Sequence, residues 1–96
     1  MAKFVLSPLA EVDMDEIWDY SAYRWDNVQA DDYLAKLREG IDRVAARPSR
    51  GHACDDIRRG YFRISAGSHV VFCKKVSGGI EVVRVLHQSM DFDRHL

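Results

Sequence analysis

Apolar positions along this chain follow a helical period through its first half and the two-residue period of strands through its last third. The run Lys3–Leu6 is short and apolar, which fits a first strand. After it, Ala10, Met14, Ile17 and Ser21 fall on one stripe at helical spacing, flanked by Trp18 and Ala22. Ser7 and Pro8 make a helix start: serine as N-cap, and proline at the first helical position, where its missing N–H costs nothing. Glu11, Asp13, Asp15 and Glu16 follow where acids favour the helix dipole. This predicts one amphipathic helix ending near Tyr23–Trp25. A second begins at Asp26, which with Gln29 has capping-box spacing. Ala30, Tyr33, Leu34, Leu37, Ile41, Val44 and Ala45 keep its period, while Asp32–Lys36 and Glu39–Arg43 are i,i+4 pairs. Pro48 ends it near Arg47. Gly40 weakens it slightly, and close packing of the two helices would account for that glycine. With a short connection, residues 8–25 and 26–47 should form an antiparallel helical hairpin.

Residues 48–58 read as a loop. Three strands follow, Gly60–Ser65, His69–Val76 and Ile80–His87, joined by Ala66–Ser68 and Ser77–Gly79, both Gly-containing and short enough for hairpin turns. The tail Ser89–Leu96 can form one helical turn carrying Met90 and Phe92. The order β-α-α-β-β-β describes a single α+β domain over residues 1–96, an antiparallel sheet with the helical hairpin packed on one face. Two helices cover only one face, so strands should alternate apolar and polar residues. They do not. Regular pleating sets Ile80, Val82, Arg84 and Leu86 on one face of the last strand and Val83 and Val85 on the other. The middle strand likewise divides Val70 and Phe72 from Val71 and Cys73. Apolar residues on both faces imply that a partner protein covers the second one.

Hydrophobic residues make up 47% of the chain and charged ones 30%, ordinary values for a soluble domain. No apolar run approaches the roughly 20 residues that span a bilayer. The start of the chain lacks the features of a signal peptide, so a cytoplasmic location is expected. Cys54 and Cys73 lack metal-ligand spacing and read as free thiols. His52, Cys54, Asp55 and Asp56 find no second ligand cluster, so that loop reads as solvated, with neither metal nor cofactor implied. The net charge of −1 hides an asymmetry: residues 1–42 carry ten acids and four bases, residues 43–96 five acids and ten bases. Such a chain either presents a basic surface or neutralises one half with the other. Trp18, Tyr20, Tyr23 and Trp25 are open to two readings, a binding stripe or core and hairpin packing; Trp18 and Trp25 are seven apart and share a helical face, and packing is the simpler account.

Leu6-x-x-x-Ala10, then Asp15-Glu16-Ile17-Trp18-x-Tyr20, then Gln29-Ala30-x-x-Tyr33, Pro48-x-x-Gly51 and Arg84-Val85-Leu86-His87-x-x-x-Asp91 span nearly the whole chain. In this order and spacing they resemble ParE-type toxins of bacterial toxin–antitoxin pairs, within the RelE/ParE superfamily. The resemblance implies a ParD-like antitoxin that folds onto the chain and neutralises it, DNA gyrase as the target, and no direct sequence-specific nucleic-acid binding. The expected partner-binding residues are Arg63, Val70, Phe72, Lys74, Val82, Arg84, Leu86, Met90 and Phe92, with antitoxin acids reaching Arg63 or Arg84.

RelE-type relatives cut ribosome-bound mRNA, which needs a base for the 2′-OH and cations for the transition state. Here Arg63, Arg84 and His87 are the candidates, with Lys74 and Lys75 close by, and Arg63 and Arg84 on adjacent strands could face one phosphate. His87 lies an odd number of positions from Arg84, so a regular strand turns it to the opposite side unless a bulge near Leu86 intervenes. No tyrosine follows His87 to take the C-terminal role seen in some relatives. Three readings follow: a gyrase-binding toxin held by its antitoxin, an mRNA endonuclease, and a degenerate domain that binds an antitoxin and harms nothing.

Overall fold

A computed structural model describes residues 3–96. Strand β1 (Phe4–Leu6) leads into helices α1 (Pro8–Arg24) and α2 (Asn27–Ala46); β2 (His52–Ala53), β3 (Tyr61–Ala66), β4 (His69–Val76) and β5 (Gly79–His87) follow. The hairpin is as expected, and its caps are made by the anticipated residues. Ser7 Oγ accepts from the Ala10 N–H at 3.0 Å. The same hydroxyl donates to the Val83 carbonyl at 2.7 Å, stitching the start of α1 to β5. Asp26 accepts from the Gln29 N–H at 2.7 Å. Gln29 returns only to the Asp26 carboxylate, at 3.5 Å, so the capping box is half made. Trp18 Nε1 donates to Asp31 across the hairpin at 2.8 Å.

The sheet runs β1-β5-β4-β3-β2. It is mixed, not purely antiparallel, because β1 lies parallel to β5 with Val5 opposite Glu81. Parallel neighbours need a long crossover; here everything between β1 and β5 supplies it. The segment read as a loop contains β2, in which His52 pairs with Arg63. Gly67, at φ +58°, turns β3 into β4, a left-handed geometry that favours glycine. A Cβ there would also stand 2.7 Å from the Tyr33 side chain. Gly40 is explained differently from the expectation. Its face meets β3, not the other helix, with Ala66 Cβ 3.4 Å from where its own Cβ would be.

The faces of β5 are also reassigned. Phe72 is paired with Arg84 but Cys73 with Val82, leaving Val83 as a bulge. The extra residue reverses the alternation. Ile80, Val82 and Val85 therefore all lie in the core beneath the helices, with Ala10, Met14, Ile17, Leu37, Ile41, Val44, Phe62, Val71 and Cys73. Leu86 joins Val70, Phe72 and Cys54 in a second, smaller core on the opposite face. The chain closes that face itself: Ile57 from the loop, Tyr61 from the start of β3, and Phe92 and Leu96 from the tail pack on it. Phe92 meets Phe72 edge-on at 5.0 Å. The expectation that a partner must cover the second face is thus corrected. What hid this from sequence is that Ile57, Tyr61, Phe92 and Leu96 are scattered singly and carry no period.

The 52–56 loop is likewise not simply solvated, since Cys54 is buried in the second core. Burial raises its thiol pKa, with Asp56 and Asp55 adding to the effect against Arg63. Burial, reinforced by Cys54, pushes Cys73 up to about 12. Both thiols should therefore resist a disulfide reagent at pH 8 in the folded protein and react only on unfolding. Rapid labelling of either without denaturant would contradict this packing.

Candidate functional site

The first three residues of β5 that pair have β1 beside them, but the strand continues five residues past Val82, where β1 has ended. Along that free edge lies Asp13 of α1. It follows from helical spacing that Asp13 shares the inner face with Ala10 and Ile17, and it is buried. Its carboxylate accepts from Arg84 Nε and Nη2, each at 2.8 Å, and from the Val85 N–H at 2.9 Å. The remaining Arg84 nitrogen, Nη1, donates to the His95 carbonyl at 3.0 Å. Hydrogen bonding to Asp13 raises the pKa of Arg84 further, against its desolvation. One guanidinium thus joins α1, β5 and the tail.

Beside this pair is a groove of about 530 Å³, lined by Glu16, Ile17 and Tyr20 of α1, His69, His87, and Met90 and His95 of the tail. An aromatic chain forms part of its wall. Tyr33 Oη lies 2.6 Å from His69 Nδ1, and His69 meets His87 edge-on at 5.4 Å. The Tyr33 hydroxyl also accepts the Ser68 N–H at 3.0 Å. His87 Nδ1 accepts the Ser89 N–H at 3.1 Å and lies 2.7 Å from Ser89 Oγ.

The residues expected at a partner face are dispersed. Val82 is fully buried beneath the helices; Phe72, Val70 and Leu86 are buried under the loop and tail. A partner cannot touch these four without displacing part of the chain. Lys74 is paired with Glu81 at 3.3 Å. Met90 is 37% exposed at the groove, and Phe92 is committed to Phe72. Arg63 is exposed. Arg63 and Arg84 are not on adjacent strands: β4 lies between them, with Phe72 opposite both. At the usual strand spacing that sets their backbones about 10 Å apart. With Arg84 held by Asp13, the pair facing one phosphate is not formed.

His87 does lie on the opposite side of β5 from Arg84's pleat, because the bulge precedes both. Arg84 reaches over the strand edge to Asp13, so the two still line one groove. Sequence reading missed Asp13, Glu16, His69 and His95 as groove residues. Asp13 alone left a trace, an acid on an otherwise buried stripe.

Tyr20, Tyr23 and Trp25 are also not packed as expected. They are exposed, and only Trp18 serves the hairpin.

The family model described as the ParE toxin of the type II toxin–antitoxin system, parDE, matches residues 4–92. Toxin ParE1 of Mycobacterium tuberculosis (strain H37Rv) is 51% identical over 96 residues, 99% of this chain and 98% of that one. Toxin ParE1 of Caulobacter vibrioides is 44% identical over 96 residues, covering 100% and 99%. A solved chain of the chromosomal ParDE TA system from P. aeruginosa superposes with a TM-score of 0.77 at 13% identity, over 91% of this chain and 96% of that one.

Replacing Asp13 by Ala strands the Arg84 charge and unpairs the Val85 N–H, so the folded state should lose about 3 kcal/mol in urea denaturation. Combining Asp13→Leu with Arg84→Met should recover much of that loss. Equal losses in single and double variants would show that the pair is not what holds these elements.

Burial, and then the charge of His87, lowers the pKa of His69, with Asp13 opposing. The unfolded chain therefore binds this proton more readily than the folded one. Stability should fall as pH drops below about 6.5 and stop falling on this account once the depressed folded value is passed. His69→Gln should flatten the dependence of the urea midpoint between pH 7.5 and 5; an unchanged slope would assign it to other groups.

Proposed function

Because the chain belongs to the ParE toxin family of type II toxin–antitoxin systems, we propose that it acts by binding rather than by catalysis. Its target in this reading is DNA gyrase in the cytoplasm, and a ParD-like antitoxin neutralises it. The observation that carries the non-catalytic reading is the occupation of both groups that mRNA cleavage would use. Arg84, which lines the groove with His87, is held by Asp13 and the His95 carbonyl. His87 Nδ1 is engaged by the turn that follows it, with the Ser89 N–H at 3.1 Å and the Ser89 hydroxyl at 2.7 Å, so it would have to give up those contacts to take a proton from a 2′-OH. Charge stabilisation and general base are thus both committed to holding the fold.

Gyrase inhibition follows the family reading. The outer surface of α1 offers apolar and acidic side chains, which suit a protein ligand better than a phosphate backbone. Among the described residues no helix is long and apolar enough to cross a membrane.

The test is expression of the chain without its antitoxin. His87→Ala should leave growth inhibition within about twofold of wild type, because imidazole chemistry is not required. The DNA-damage response should rise before bulk translation falls, and the purified protein should inhibit supercoiling by gyrase. If translation stops first, mRNA is cut within codons and His87→Ala abolishes both effects, the chain is an endonuclease. If neither response appears, it is a non-toxic antitoxin-binding domain.

A further inference from the structure

Cations crowd one stretch of this chain: from Arg43 to Lys75, eight basic side chains stand against two acids. The fold gathers three of them. Where β3 begins and β4 ends, an open cleft of about 500 Å³ is lined by Arg59, Gly60, Tyr61, Phe62, Lys74 and Lys75, with no carboxylate among them. Arg59 and Lys75 are exposed and make no ion pair among the described residues. Lys74 meets Glu81 at 3.3 Å, but a solvent-exposed pair adds little and is readily exchanged for another anion. Tyr61 is opposite Lys74, so the two share a face of the sheet. Arg63, also exposed and without an ion pair, lies on that face about 7 Å farther along β3. Asp55 stands behind the cleft, its carboxylate accepting the Gly60 N–H at 2.8 Å. The cleft shares no lining residue with the groove beside Arg84.

We propose that this cleft, continued by Arg63, binds the phosphate backbone of duplex DNA without regard to sequence. The choice of DNA rests on the gyrase reading above, because that target works on duplex DNA. Three features select this occupant. The first is charge: cations without acids between them call for a polyanion. A duplex carries one charge for roughly every 1.7 Å of its axis, dense enough for each cation to meet a phosphate without a matched register. The second is the lack of anchors. From Gln29 to Lys75 no large apolar side chain is exposed among the described residues. A protein partner, even an acidic one, relies on buried apolar or aromatic anchors at the centre of its interface; phosphate contacts need none. The third is the state of the two rings. Phe62 belongs to the main core and Tyr61 packs on the second one. Neither is free to stack an unpaired base, the contact on which single-strand binders depend. Contact with the backbone alone also agrees with the expectation of no sequence-specific nucleic-acid binding.

The experiment titrates the full-length chain into a fluorescent duplex of mixed sequence, about 20 base pairs long, and reads anisotropy between roughly 50 and 200 mM salt. The logarithm of affinity should fall against the logarithm of salt with a slope of about −3. Arg59→Ala with Lys75→Ala should weaken binding at least about tenfold and lower the steepness of that slope by about two. Glu81→Gln, which frees Lys74 and removes an acid, should tighten binding about threefold. Arg38→Ala removes an exposed cation of α2 outside the cleft and should change nothing. No binding at the lowest salt would overturn the proposal. So would a loss in Arg38→Ala equal to that of the double variant, since net charge and not the cleft would then be responsible. Tighter binding of single-stranded RNA of equal charge would overturn the duplex assignment. Thermal unfolding checks that each variant is folded; should the double variant not fold, the wild-type slope and the gain in Glu81→Gln decide. Supercoiling by gyrase, measured alongside, separates the two readings. A chain that inhibits gyrase but does not bind the duplex sinks this inference alone. One that binds with the expected slope and spares gyrase upholds the site and sinks the gyrase reading.

Discussion

The Asp13 carboxylate is the point on which this structure depends. Strand β5 is nine residues long and β1 only three, so the far part of β5 has no strand to take its outward N–H groups. Asp13 takes the Val85 N–H in place of that missing strand. A buried carboxylate needs a cation, and Arg84 supplies it in a two-pronged pair. Arg84 then has one nitrogen to spare, which holds the tail through the His95 carbonyl. A buried pair of this kind gives little net stability over an apolar equivalent. Its consequence is registry: it sets where α1 crosses β5 and where the tail lies.

That registry has a chemical consequence. Arg84, one of the four cations on the strands, is used by the fold to close the strand edge. His87 faces the same groove but spends its free lone pair on the turn that follows it. The two side chains that most resemble ribonuclease machinery in the sequence thus both make hydrogen bonds within the fold. What remains outside is a surface of aromatic, aliphatic and acidic side chains on α1, which suits recognition of another protein.

Charge segregation along the chain has its counterpart in space, with partial cancellation. Asp13 from the acidic half meets Arg84 from the basic half; the acids on the outer side of α1 have no such partner. Of the ion pairs between the two halves among the described residues, Asp13–Arg84 is the buried one and Glu39–Arg43 is exposed.

The sequence alone determined the two helices, their caps, the three-strand meander and its turns. These are properties of neighbouring residues: a 3.6-residue period, a side chain reaching three positions along, a glycine where the backbone turns left-handed. It also carried the family, through motifs spread over the chain. Only the tertiary structure decided which side of β5 each residue faces, because one unpaired residue at Val83 reverses the alternation and a bulge leaves no periodic trace. It decided, too, that the second face of the sheet is closed by Ile57, Tyr61, Phe92 and Leu96, single residues with no pattern to join them. The exposed apolar residues of α1, Leu9, Val12, Tyr20 and Tyr23, were present in the sequence throughout. What could not be read there was which of two apolar stripes on one helix is spent on the core. That depends on the direction from which the sheet approaches, a fact no local pattern contains.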